Sequence, residues 1–170
     1  QRLASLSAAS VPHPIALVRA MATSRQGLAS WYMYLFQLPA LPEWVLLGPG
    51  GRNPRALARF LRASGLSDET TRREVQAMSA PGAMRGALNW YRAMPLTNPR
   101  SGRARITTPT MYVWGDADVA ILRQTAEACR AWVAGPYRFE VLAGVSHAVP
   151  EDAPDALAGL LLQHFAGHPG

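Results

Sequence analysis

Two side chains in this chain are placed to move a proton. Asp118 stands in "WGDAD" and His147 in "GVSHAVPEDAPDAL". A carboxylate that accepts an imidazole N–H fixes the histidine tautomer and stabilises the imidazolium that forms when the other nitrogen takes a proton. Each residue follows a short β-rich run that ends in glycine, "ITTPTMYVWG" and "YRFEVLAG". A plainer reading fits the same spacing: Asp118 caps a helix starting near Val119, and His147 is a surface loop residue.

The elements that must position them come in an ordered series. After residue 105 the chain reads strand, helix ("VAILRQTAEACRAWV"), strand, helix ("PEDAPDALAGLLLQHF"), the last with Leu157, Leu160, Leu161 and Phe165 on one face. That alternation implies a parallel sheet with helical crossovers. Ligands of such sheets sit at the carboxyl ends of the strands. Both loops therefore open on one edge, together with Pro12–Pro14, where an earlier strand-like run "LASLSAAS" stops. His13, at that end, reads as a lining or hinge residue.

Residues 15–98 are helix-like and repeatedly broken by Pro and Gly. "PIALVRAMA" and "RQGLASWYMYLFQLP" read as two helices. "NPRALARFLRASG" has Asn53 as N-cap, Pro54 in the first position and Gly65 closing it. "SDETTRREVQAMSAPG" is capped by Ser67 or Asp68 and has an acidic first turn. "GAMRGALNWYRAMP" is a fifth helix.

Composition narrows the function classes. The chain has 170 residues, 49% of them hydrophobic, enough to bury a core. No apolar run approaches the ~20 residues of a membrane helix, and "QRLASLSAAS" does not read as a signal peptide. Net charge is +6, carried by 17 arginines without a lysine. The arginines are scattered, and Arg100, Arg103 and Arg105 read as a solvated loop, so nucleic-acid binding is not expected. Cys129 is the single cysteine. It excludes an internal disulfide, suits a reducing cytoplasm, and falls at helical spacing as a buried apolar residue. His164 and His168 share a four-residue spacing but lack a glutamate partner, and they read as surface residues. No metal or cofactor is expected.

"WGDAD" and "GVSHAVPEDAPDAL" resemble the last two strand–loop–helix units of the α/β-hydrolase superfamily. The resemblance implies that Asp118 is the acid, His147 the base and Asp116 a flanking carboxylate. "SWYMYLFQLP" and "GALNWYRAMP" resemble the helical cap of epoxide hydrolases, and "SVPHP" resembles the segment leading from a core strand into that cap. The cap of that family supplies two tyrosines that bond the epoxide oxygen. The matching positions are Tyr32 and Tyr91, with Tyr34 as the nearest competitor. Packing alone also explains aromatic residues at this spacing. Trp31 and Trp90 adjoin the tyrosines, as pocket lining or as pins between helices.

The implied architecture is a partial α/β-hydrolase fold: residues 1–14 a core strand and lead into the cap, 15–104 the cap, 105–170 the closing strand–helix–strand–helix. Neither G-x-S-x-G nor G-x-D-x-G occurs, so the nucleophile elbow of that family is expected upstream. The implied function is hydrolysis of a small apolar epoxide to a diol through an alkyl–enzyme ester. The alternatives are a haloalkanoate dehalogenase, an esterase, or a non-catalytic remnant that binds an apolar ligand or a partner through its sheet edge. A missing N-terminal half or a homo-oligomer would complete the sheet.

Overall fold

The computed structural model describes residues 3–96 and 103–169; Arg100 lies outside them. The chain divides into two compact units, one of Gln1–Ala29 with Pro99–Gly170, the other of Ser30–Asn98.

The first unit is built on a parallel sheet of three strands, β1 (Leu6–Ala9), β2 (Thr110–Gly115) and β3 (Tyr137–Leu142), in the order β1-β2-β3. Leu6 pairs with Thr110, and Thr110 with Tyr137. β2 is buried along its whole length, as a central strand covered on both faces must be. Side chains alternate across it. Met111 and Val113 pack against Val149, Leu157, Leu160 and Leu161, from helices α9 (Val149–Asp152) and α10 (Pro154–Ala166). On the other face the Tyr112 ring stacks on Phe139, 5.8 Å between centroids. Trp114 there donates its indole N–H to the Ile121 carbonyl at 2.9 Å.

Helices α1 (Pro14–Thr23) and α2 (Gln26–Ala29) belong to this unit, and α1 packs against α8 (Arg123–Ala128). α8 begins four residues later than the sequence suggests; in the turn before it Ala120 and Ile121 N–H donate to Asp118 Oδ1, and Leu122 N–H donates to Gln26 Oε1. A 3₁₀ turn, Cys129–Trp132, ends it. Cys129 is buried, as expected.

The last helix also departs from its reading. It breaks at Ala153 (φ −141°, ψ 55°), because the residue before a proline is driven out of the helical region. Leu157, Leu160 and Leu161 face the core, but Phe165 is half exposed while His164 is buried. The surface assignment of His164 is thus corrected. His168 caps the arrangement, its Nδ1 at 2.9 Å from the His164 carbonyl. Arg103 and Arg105 are exposed, and Arg105 Nε–H donates to the Ala131 carbonyl.

The second unit holds α3 (Trp31–Phe36), α4 (Leu41–Leu47), α5 (Arg55–Ala63), α6 (Asp68–Met78) and α7 (Ala83–Ala93). Its core is Phe36, Leu46, Leu47, Leu57, Met84 and Leu88, with Tyr32, Phe60 and Tyr91 packed against it. Ser67 caps α6, its Oγ accepting the Thr70 N–H at 3.1 Å. The single helix expected over "RQGLASWYMYLFQLP" is two, parted at Ser30. Gly27 explains the break: a Cβ there would strike the Met21 carbonyl oxygen, so α2 lies tight against α1. Asn53 is not the cap of α5. Its N–H donates to Leu47 O at 2.7 Å, and Pro54 takes the cap position.

Candidate active site

The turn after β2 and the loop after β3 are knitted together by their backbones. Asp116 N–H donates to Leu142 O and Ala117 N–H to Val145 O, both at 3.1 Å. Gly115 is required for this approach, because a Cβ would collide with the Val145 carbonyl oxygen and lie 2.7 Å from that of Ser146. Gly144 takes a left-handed turn (φ 71°), and its N–H donates to Asp116 Oδ1 at 2.6 Å. Asp152 Oδ2 accepts the Ser146 N–H at 3.0 Å. Four hydrogen bonds thus fix the backbone that leads into His147.

Asp118 has a fully buried side chain, and that of His147 is 38% exposed. Asp118 Oδ1 accepts the Ala120 and Ile121 N–H groups at 2.8 and 2.9 Å. Its Oδ2 lies 2.8 Å from His147 Nδ1. One oxygen of Asp118 thus holds the following turn, which is not a helix, and the other faces the imidazole. Where the carboxylate is the acceptor, Nδ1 carries the shared proton, and Nε2 of the neutral ring is left as the acceptor. That arrangement can take a proton from water or a hydroxyl.

In the helical unit, Tyr32 on α3 and Tyr91 on α7 bring their rings to 6.2 Å at 84°. Phe36 lies 5.5 Å from Tyr32 and 5.0 Å from Tyr91. Burial pushes the Tyr91 hydroxyl above its ordinary pKa, which keeps it protonated and able to donate. Tyr34 is 56% exposed, as is Trp31, and Trp90 is 74% exposed. Trp31 sets its edge against Tyr32 and Phe60.

His13 caps α1, its Nδ1 accepting the Ile15 N–H at 3.3 Å, and stacks on Trp132 with 4.7 Å between centroids. Burial lowers its pKa, consistent with an unprotonated Nδ1. It lines a cavity of about 180 Å³ with Leu6, Tyr112, Cys129 and Tyr137. Asp118 and His147 are not among the residues lining that cavity.

The sequence carried no sign of Gln26. It is fully buried, donates to Ala120 O at 2.6 Å, and accepts from Leu122 N–H and the Thr125 hydroxyl at 2.9 and 2.8 Å. It thereby ties α2 to the turn that carries Asp118. Glutamine is ordinarily a surface residue, and nothing in "SRQGL" marks this one as buried. Among the described residues no group of three or more His, Cys, Asp or Glu is gathered to hold a metal ion, and no helix is long and apolar enough to cross a membrane.

Known proteins are similar to this chain over most of its length. No protein-family model matches the chain. Epoxide hydrolase 4 of Mus musculus is 28% identical over 160 residues, which are 88% of this chain and 44% of that protein. Epoxide hydrolase 2 of Caenorhabditis elegans is 29% identical over 166 residues, 91% of this chain and 45% of that protein. The chain spans less than half the length of these relatives. Among solved structures, Bacillus megaterium epoxide hydrolase in complex with an inhibitor aligns with a TM-score of 0.75 at 19% identity, over 96% of this chain and 61% of that one. A structure titled for novel epoxide hydrolases of the alpha/beta hydrolases superfamily, from metagenomes of hot environments, aligns with the same TM-score at 25% identity, over 98% and 60%. The chain has part of the α/β-hydrolase fold, and it is similar to epoxide hydrolases.

Proposed function

We propose that this chain is part of an epoxide-opening hydrolase, with Ser30–Asn98 serving as the cap and Asp118–His147 as the acid–base pair. The observation that carries the choice of epoxide over ester or halide is the meeting of Tyr32 and Tyr91, from separate helices, with their rings 6.2 Å apart. An epoxide needs a proton donor on its oxygen as the ring opens. Neutral tyrosines donate at pH 7 and also stabilise the developing oxyanion.

In the proposed reaction, a carboxylate upstream of this chain attacks an epoxide carbon. The C–O bond breaks, its electron pair stays on oxygen, and a tyrosine hydroxyl supplies the proton. The product is a hydroxyalkyl ester of the enzyme. His147 Nε2 then takes a proton from water as that water attacks the ester carbonyl. The diol leaves, the carboxylate is restored, and the imidazolium proton returns to the tyrosinate through solvent. Asp118 holds the Nδ1–H tautomer throughout. The substrate is a small apolar epoxide, and Trp31, Trp90 and His13 are proposed to line its path. We place the protein in the cytoplasm, on its single cysteine. The described part of β1 has one neighbour, so the sheet is completed by the remainder of the polypeptide or by a second copy.

The test joins the chain to its upstream coding sequence and follows single-turnover reaction with styrene oxide. His147→Gln should leave ester formation intact and block its hydrolysis, so that a covalent adduct accumulates by intact mass. Tyr32→Phe and Tyr91→Phe should each slow ester formation by about 100-fold, roughly 3 kcal/mol of transition-state stabilisation. An upstream Ser elbow refutes the epoxide reading and favours an esterase; an Asp elbow with epoxide opening untouched by both Phe variants refutes it and favours a dehalogenase. The chain alone should show no turnover.

A further inference from the structure

Building on the ring-opening role proposed for Tyr32 and Tyr91, we infer that Arg92 is the positioning residue of that pair, a clamp that sets the exit of α3 against α7. A guanidinium carries five N–H donors in one rigid plane. Every one of them meets an acceptor. Nε–H donates to Phe36 O at 3.1 Å. One terminal nitrogen donates to Glu43 Oε1 at 2.8 Å and to Asn89 Oδ1 at 3.3 Å. The other donates to Leu38 O at 2.8 Å and to Glu43 Oε2 at 2.9 Å.

These acceptors belong to three helices or their ends. Phe36 and Leu38 lie where α3 finishes, Glu43 in the first turn of α4, and Asn89 on α7 beside Arg92. The carbonyls at the end of a helix lack helical partners, and a cation there also meets the negative end of the dipole. Both side chains of the ion pair are only 21% exposed, so solvent screens it less than a surface pair. The next residue repeats the contact: the Tyr91 carbonyl accepts from Gln37 Nε2 at 2.9 Å. Residues 91 and 92 thus grip the same three-residue exit, 36–38.

Tyr32 lies one turn before Phe36, and the Phe36 ring sets its edge against both tyrosine rings. Moving the exit of α3 therefore moves Phe36, and with it the spacing of both tyrosines. Lysine cannot replace this clamp, because a point charge offers three donors and no fork.

The experiment uses the intact-length enzyme with styrene oxide, and measures ester formation and ester hydrolysis separately. Arg92→Lys should slow ester formation by about 100-fold while hydrolysis changes by less than about threefold, as expected of a misplacement near 1 Å. Combined with Tyr91→Phe, its effect should shrink rather than multiply, because a hydroxyl already removed cannot be misplaced. Methylguanidinium should partly restore ester formation in Arg92→Ala. Should Arg92→Lys fail to fold, Glu43→Gln, which keeps the size and removes the charge, carries the same test with an effect of about 10-fold. Equal slowing of both steps, full multiplication with Tyr91→Phe, or wild-type ester formation would each overturn the inference. If both Tyr→Phe variants are slow and Arg92→Lys is not, the positioning role alone falls. If the Phe variants are silent, the ring-opening reading falls first.

Discussion

Gly115→Ala tests whether the close approach of two loops is what builds the acid–base pair. The new methyl would collide with the Val145 carbonyl oxygen and stand 2.7 Å from Ser146 O, and real contacts of this kind stay beyond 3.0 Å. Both obstacles are backbone atoms, so no side chain can swing aside. The 144–147 segment has to retreat by about 1 Å, a displacement of the size that costs about 100-fold in a positioned group. The Ala117–Val145 bond, now 3.1 Å, and the Asp118–His147 contact, now 2.8 Å, both lie across the seam that opens. Overpacking of this kind costs about 1–3 kcal/mol, and the loss of two hydrogen bonds about 1 kcal/mol each. The sum is about 3–5 kcal/mol. Long-range nitrogen–proton correlation of the His147 ring reports the tautomer directly. Wild type should show the proton on Nδ1; Gly115→Ala should show mixed tautomers and a thermal midpoint lower by several degrees. In the intact-length enzyme, ester hydrolysis should fall by about 100-fold while ester formation persists. An unchanged tautomer together with an unchanged midpoint would mean that the two loops do not depend on this contact, and the account of the site would be wrong.

Other outcomes follow from single residues. Gln26→Leu strands the Ala120 carbonyl, the Leu122 N–H and the Thr125 hydroxyl, and should destabilise the sheet unit by about 3 kcal/mol in urea melts; a loss under about 1 kcal/mol would mean that these groups find other partners. Asp116→Ala frees the Gly144 N–H and should slow ester hydrolysis, whereas Asp116→Asn keeps an acceptor and should do so less; the reverse order contradicts its role as a clamp. The hydrogen bond from Arg92 holds the Glu43 carboxyl below its ordinary 4.5. Its stabilising effect is therefore complete above that value and is lost as pH falls through the depressed one. Acid melts should show this limb, and Glu43→Gln should flatten it. Burial pushes the Cys129 thiol above its ordinary 9.0, so an aromatic disulfide reagent should titrate it only after denaturation; rapid labelling of folded protein would contradict the burial.

The sequence made the outline of the sheet unit legible because its punctuation is local. Proline closes β1, glycine closes β2 and β3, and strand-like runs alternate with helical ones as a parallel sheet with crossovers requires. Ser67 was readable for the same reason, since a capping hydroxyl acts within one turn. The failures lie where a distant partner decides. Ser30 splits a continuous helical pattern because α2 is held by Gln26 and by the close seat of Gly27, both contacts beyond the reach of periodicity. α8 starts only at Arg123, and the turn before it is held by Gln26, a residue far away along the chain, through Ala120 O and Leu122 N–H. α10 lost one position of its expected apolar face, with His164 buried where Phe165 was read. At the site, the Asp118–His147 contact was one of two open readings, and the helix start near Val119 that the other required is absent. The fork of Arg92 had no sequence signature, because its acceptors are mostly backbone carbonyls.

The topology of the sheet has a kinetic cost. Among the described residues β1 pairs with β2 alone, and the paired residues Leu6 and Thr110 lie about 100 positions apart along the chain. Closing so long a loop before any contact rewards it is entropically slow, and such non-local pairing lowers folding rates. Ser30–Asn98 has its own apolar core and is compact by itself. Once that segment has condensed, it shortens the loop to the stretches on either side of it. On a ribosome, β1 must therefore wait, with an open edge, through the synthesis of the whole helical insertion. Its brevity (four residues) and the left-handed Ser10 that ends it limit what a waiting edge can recruit.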